Sequence, residues 1–528
     1  MHSSNAFGAS LRNWIRPVLA GLALGAVLTL AEPASAFCGF YVAGATSNLY
    51  ANATMVVLMR DGTRTVLSIQ NNYQGPPDQF AIVIPVPVVL QQDQVKTLPH
   101  DIFDRVDRLG SPRLVEYWEQ DPCQPTFEVG TASGGSSSVL LTPGAASDAG
   151  VTVEAQFTVG EYDIVILSAD DSTGLSTWLT ANDYNIPSGA DSALAPYVAT
   201  GSKFFVAKVD PSKVTFQNGQ AALSPLRFYY DTPDFSLPVR LGLLNSHGTQ
   251  DLIVNILSTQ RFEVANYPNV TIPTNQRVVD GVRDGFGGFY EALFSDTLSK
   301  NPGAVVTEYA WSASSCDPCP VDPLTQDELA TLGADVTQGL GANNQSYVDY
   351  TLTRLHYRYT PQSLAQDLVF KAAEPIVGGR GIPDATGALD PTVQDGQVGT
   401  DTFQGRYVIL HPWTGAISCA SPRRGTWGEQ GGSATGLANG ALTGAPATAS
   451  ANLASLIWTG AGGTDMGGGG TSGSALTSTG SSMHASGGGC SFGYGLDGKS
   501  SFALIAALGA MFGLGRLRRR SNARSVRR

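Results

Sequence analysis

The chain has 528 residues, with 32 Lys and Arg against 44 Asp and Glu and a formal charge of −12 at pH 7. Only 14% of residues are charged and 42% are apolar, which excludes a disordered acidic tail. Net acidity also works against the clustered Lys and Arg that phosphate neutralisation needs, so no nucleic acid is expected as a partner.

The first element in chain order is a leader. Arg12 and Arg16 precede an apolar run from Pro17 to Ala31, and Ala34-Ser35-Ala36 follows as a small-x-small site. This order of charge, apolar run and small residues predicts a signal peptide over 1–36, cut after Ala36 by signal peptidase. Phe37 stands where a lipoprotein would carry a small residue before Cys38, so a lipidated N-terminus is not expected.

Residues 37–422 read as the exported globular domain. Met55 to Arg60 and Thr65 to Gln70 flank Asp61-Gly62-Thr63-Arg64, a predicted hairpin. Ala81 to Ile84 is an apolar strand ended by Pro85 and Pro87. Further strands are predicted at Tyr162 to Leu167, Lys203 to Val209, Leu226 to Tyr230, Leu252 to Leu257, Thr307 to Trp311 and Tyr407 to Leu410. Thr351 to Tyr359 alternates, with Leu355, Tyr357 and Tyr359 on one face and Arg354, His356 and Arg358 on the other. The second face is expected to be solvated, with an anion-binding strip as the functional alternative.

Helices are fewer. Ile102, Phe103, Val106 and Leu109 recur at helical spacing after Asp101, a predicted cap, and Gly110-Ser111-Pro112 ends the run. Leu175, Trp178 and Leu179 form a second amphipathic segment, capped from Ala169-Asp170-Asp171-Ser172, and Phe289, Leu293 and Phe294 a third. Thr325-x-x-Glu328 is a capping-box pattern ahead of Leu329 and Leu332. The fold class is therefore α+β, with strand-rich mixed or antiparallel sheets and a few short helices. Residues near 130–150 form a low-complexity insertion, and 423–489 a flexible stalk rich in Gly, Ala and Ser.

Residues 490–528 hold Cys490, an apolar run from Ser501 to Leu514, and Arg516, Arg518, Arg519 and Arg520. The run is shorter than the ~20 residues of a full span, so flanking residues would have to extend it into a transmembrane helix. The Arg cluster supplies a positive-inside stop. This arrangement resembles the MYXO-CTERM sorting signal of surface proteins. The resemblance implies a sorting protease, Cys490 as the anchor point, and membrane attachment through Cys490 or the C-terminal helix. It also implies a cell-surface or outer-membrane location, or an inner-membrane tether with the core outside the cytoplasm.

Cys38-Gly39-Phe40-Tyr41-Val42, Gln70-Asn71-Asn72-Tyr73-Gln74-Gly75-Pro76, Ile84-Pro85-Val86-Pro87, Glu116-Tyr117-Trp118 and Cys316-Asp317-Pro318-Cys319 occur in that order. They resemble an exported bacterial family known as domain of unknown function 2330. That resemblance implies secretion and a surface role and carries no known reaction or catalytic residue.

The disulfide candidates are Cys38, Cys123, Cys316, Cys319 and Cys419, with a Cys316–Cys319 loop and one long-range bridge among the other three expected. Cys316-Asp317-Pro318-Cys319 also has a sharper reading, because a strand precedes it and a helix follows, the order found in thiol-disulfide oxidoreductases. Against it, Pro320 and Asp322-Pro323 separate the motif from the helix, and Asp317 would raise the neighbouring thiol's pKa. Gly493 to Ser500 matches the Walker A spacing, yet no strand leads into it and no phosphate-cradling helix follows. His100, His247, His356, His411 and His484 lack metal-binding spacing, so neither a metal nor another cofactor is predicted. The function expected is a non-catalytic structural or ligand-binding module; the alternative is an oxidoreductase using Cys316 and Cys319. The ligand is not legible.

Overall fold

A tight hairpin starts the largest sheet. Asp61 pairs with Arg64 across Gly62-Thr63, and Gly62 supplies the left-handed φ of +54° at the turn. The structure is a computed structural model that describes residues 40–44, 50–51, 55–70, 73–74, 81–123, 152–182, 184–217, 220–245, 248–337, 348–396, 400–428, 435–436 and 453–458. The elements that build the centre are β1 (Met55–Asp61), β2 (Arg64–Ile69), α1 (Asp101–Gly110), β3 (Arg113–Glu119) and β4 (Leu226–Asp231). They continue with β5 (Gln250–Ser258), α2 (Phe286–Lys300), β6 (Val305–Ser312), β7 (Thr351–Tyr359) and β8 (Ile376–Gly378). β9 (Gln394–Asp395), β10 (Thr402–Gln404) and β11 (Arg406–His411) complete the set.

The main sheet runs β9-β8-β10-β6-β7-β5-β1-β2-β4 and ends on Val95–Thr97. It is mixed: β5 pairs with β7 antiparallel and with β1 parallel. A second, six-stranded sheet contains Ala81–Val86, Thr152–Val159, Tyr162–Ser168 and Lys203–Val209. Within this sheet Phe40–Gly44 pairs with Ala81–Val83, and Pro85 faces Phe204 on the other side. A third sheet joins β11 to β3 in parallel.

Strand periodicity sorts the side chains into layers. Val56 and Leu58 of β1 join Ile82, Ile84, Ile164 and Phe205 in the core between the two larger sheets. Met55, Val57 and Met59, one residue out of phase, pack with Ile102, Phe103, Val106 and Leu109 of α1. α2 covers an adjoining region through Phe289, Leu293 and Phe294 against Phe403, Tyr407 and Ile409. Helices Ser172–Ala181 and Ala190–Ala199 cover the far face of the second sheet through Leu175, Leu179 and Leu194. The strand-rich mixed α+β class agrees with the sequence expectation.

Several local expectations are refined. Asp171 caps its helix, accepting from the Gly174 amide at 2.6 Å, as the cap reading required. The Thr325–Glu328 capping box forms, ahead of helix Gln326–Leu329 and a π-helical turn to Ala334. Asp101 is the first residue of α1 rather than its cap, because His100 takes that place. Past Pro422, Trp427–Gly428 and Thr435–Gly436 pair with β3, and Leu453 is buried beside α2. Isolated apolar residues within the Gly-rich stretch therefore extend the packed domain beyond residue 422. No helix among the described residues is long and apolar enough to cross a membrane. Residues 1–36, 130–150 and 490–528, including Ala36, Cys490, Ser501–Leu514 and Gly493–Ser500, lie outside the described residues, as do Cys38, His247 and His484.

Candidate functional site

The most concentrated chemistry lies on the face of β7 that the alternation assigns to solvent. That expectation is corrected: Arg354 and His356 are both 0% exposed. α2 lies over them, with Phe294 stacked on the His356 ring at 3.9 Å, and Asp107 of α1 reaches Arg354. An amphipathic strand pattern identifies which residues share a face, and an aromatic helix laid on that face can still bury it.

A β-bulge supplies the central counter-charge. Along β6, Thr307 faces Leu355 and Tyr309 faces Arg354, leaving Glu308 as the extra residue. A bulge re-aims the side chain it carries. Glu308 Oε2 accepts from Arg354 Nε at 2.7 Å, while Oε1 lies 2.7 Å from His356 Nδ1 and accepts from the Tyr290 hydroxyl at 2.7 Å. On the other side of the ring, His356 Nε2 is 2.8 Å from Asp251 Oδ1. Asp251 also takes both arms of Arg358, at 2.8 and 3.0 Å, and Asp107 accepts from Arg354 NH1 at 2.6 Å. The groups form an alternating ladder: Asp107, Arg354, Glu308, His356, Asp251, Arg358.

The electrostatics follow from that order. With His356 protonated the ladder holds three positive and three negative groups; a neutral imidazole would leave a buried excess of negative charge. Burial alone would lower the His356 pKa, but the charge of Glu308 and the hydrogen bonds to Asp251 and Glu308 raise it overall. Burial would push Glu308 up, yet His356 and Arg354 hold it down to about 2. Desolvation and the adjacent Glu308 charge push the Tyr290 hydroxyl well above its usual range. Both imidazole nitrogens face carboxylates, so both donate and neither is left to accept a substrate proton. A ring sealed under Phe294 cannot act as a general base.

The Cys-x-Pro-Cys motif sits at the edge of the same layer. Cys316 and Cys319 are bridged, with Cα atoms 5.0 Å apart, and both are half-buried. Arg113, itself fully buried, donates to the Pro318 carbonyl at 2.9 Å, and Gln404 donates to that of Asp317. The loop is thereby tied to the core. The following helix starts only at Gln326 and is four residues long, so it offers no dipole to a Cys316 thiolate. A second bridge joins Cys123 to Cys419 across 296 residues. Among the described residues no group of three or more His, Cys, Asp and Glu side chains could hold a metal. His411 pairs with Glu116 at 2.6 Å and stacks on Trp118, and His100 is exposed.

A cleft of about 460 Å³ opens beside β8, β9 and β10. Asn275 lies at its base with a φ of +51°, the only positive-φ residue other than glycine among those described. Sequence reading missed Asn275, Glu308, Asp251 and Asp107. Glu308 alone carried a signal, as a charge within the apolar run Val305 to Trp311.

Fold and site together define a strand-rich α+β domain with an internal ionic ladder among its described residues. Residues 32–371 match the family described as uncharacterised protein conserved in bacteria (DUF2330), and the chain belongs to that family. The matched stretch includes the whole ladder and Cys316–Cys319 and stops short of the cleft-lining strands and Cys419. Searches of the curated proteins and of the solved structures find no match.

Proposed function

We propose that this protein is an exported, surface-anchored module that binds rather than transforms its ligand. The ladder from Asp107 to Arg358 carries this reading: it neutralises its charges internally and lies buried beneath α2. Such a centre holds strands and helices in register and has no group free to exchange protons with a substrate.

Export is supported by the bridges Cys123–Cys419 and Cys316–Cys319, since disulfides persist in oxidising compartments. In this reading signal peptidase cuts after Ala36. A sorting protease then processes a MYXO-CTERM-like signal near Cys490, which anchors the chain at the cell surface. The test is to express the full chain in a Gram-negative host, fractionate the cells and alkylate thiols before and after reduction. The expected product lacks residues 1–36, lies in an extracytoplasmic membrane fraction, and exposes Cys123 and Cys419 only after reduction. Cytosolic retention with Cys123 and Cys419 free would overturn the reading.

A further inference from the structure

We infer that the cleft beside Asn275 is a binding site for a neutral, polyhydroxylated ligand of mono- or disaccharide size. This assignment rests on the binding-module reading and names the ligand class it would serve.

The walls are built before any ligand arrives. Asn275, 4% exposed, donates through Nδ2 to the carbonyls of Arg380 at 3.1 Å and Asp390 at 2.7 Å, both lining residues. Its Oδ1 accepts from Arg406 Nε at 2.9 Å, and Arg406, 1% exposed, also donates to the Gly381 carbonyl at 2.6 Å. Two buried side chains therefore fix three stretches of the lining backbone. Gly379 makes the close approach possible: with φ +69°, a Cβ there would stand 1.9 Å from the Gln404 carbonyl oxygen. A site held this way loses little conformational entropy on binding.

The floor is polar and its dimensions follow from sheet register. Gln394 and Thr402 both pair with Val377, so they flank it two strand spacings apart, roughly 10 Å. Thr392 and Thr400, in the segments that lead into these strands, also line the cleft. Arg380 reaches over this floor and donates to the Thr402 hydroxyl at 2.9 Å. Asp390, hydrogen-bonded by Thr392 and Gln394, stays ionised, its pKa lowered first by the Thr392 hydroxyl.

The composition selects the ligand. Among the described lining residues Val377 is the only large aliphatic side chain and none is aromatic, so an apolar ligand gains little burial from them. Among the described lining residues the carboxylates of Asp390 and Asp395 work against an anion, and the guanidinium of Arg380 offsets one of them. Hydroxyl groups donate to carboxylates and accept from guanidinium and amide groups, so one uncharged polyol can satisfy both sets. The volume falls within the ~300–1,000 Å³ of small-ligand sites.

The test titrates the full chain with maltose, cellobiose and N,N′-diacetylchitobiose, with glycylglycine as a zwitterionic and citrate as an anionic control, observed by saturation-transfer NMR. At least one disaccharide is expected to bind with a Kd near or below about 1 mM. Arg380→Gln and Thr402→Val are each expected to weaken binding by about tenfold through lost ligand hydrogen bonds, and Asn275→Ala by a similar factor because the lining backbone it holds is released. Arg380 is exposed, so its variant keeps the test valid if Asn275→Ala or Thr402→Val fails to fold. Failure of all three disaccharides to bind, or binding unchanged in Arg380→Gln and Thr402→Val, would overturn the assignment. Binding of glycylglycine or citrate alone would overturn the ligand class and leave a binding module. Cleavage of a bound disaccharide would overturn the non-catalytic reading instead.

Discussion

Glu308 Oε1 and His356 Nδ1 stand 2.7 Å apart on adjacent strands, and the bulge at Glu308 is what brings them together. The pair has consequences for stability at both ends of the pH range. Glu308 is depressed to about 2 from 4.5, so its contribution is complete above the unfolded value and is lost as pH falls towards 2. His356 is raised above 6.5, so its contribution is complete below 6.5 and is lost as pH rises through the folded value. Urea midpoints measured against pH should therefore fall on both sides of a plateau between about 4.5 and 6.5. In Glu308→Gln the acid limb should flatten.

Breaking the ladder at one point should cost more than replacing the pair. Glu308→Gln or His356→Ala leaves buried charge without its partner, for which about 3–5 kcal/mol is expected. A paired apolar replacement such as Glu308→Leu with His356→Phe should recover part of that loss. Denaturant unfolding of the parent, Glu308→Leu, His356→Phe and the double variant forms the cycle, and independent, additive losses would contradict a direct coupling.

The two bridges should differ in weight. Cys123–Cys419 closes 296 residues, whereas Cys316–Cys319 spans three. In the loop-entropy picture Cys123→Ser should lower stability by about 2–5 kcal/mol and Cys316→Ser by clearly less. Thermal unfolding of each variant, without reductant, checks the order.

Thr325 both accepts from the Glu328 amide and shares hydrogen bonds with its carboxylate, which also pairs with Arg105 at 2.6 Å. Thr325→Ala should cost about 1 kcal/mol, and Thr325→Ser should restore most of it, as read by urea midpoint.

The legible parts of this fold were those fixed by local chemistry. The Asp61–Arg64 hairpin, the Asp171 cap and the Thr325–Glu328 box each depend on residues a few positions apart, and all three form. The alternation of β7 also identified correctly that Arg354, His356 and Arg358 share a face. What covers that face was not legible, because Phe294 and Asp107 come from helices remote in sequence. Glu308 and Asp251 become partners of His356 only through sheet order and a bulge. The cleft escaped for a similar reason: Asn275 and Arg406 are 131 residues apart, and neither belongs to a motif.

The central claim is that His356 is a structural group that carries its charge at neutral pH. Its most direct measurement is the ¹⁵N NMR spectrum of the His356 imidazole in the full chain, assigned by comparison with His356→Gln. At about pH 7 both ring nitrogens should carry protons, because each faces a carboxylate. A neutral ring at that pH, with one unprotonated nitrogen, would contradict the claim and return His356 to the set of available bases.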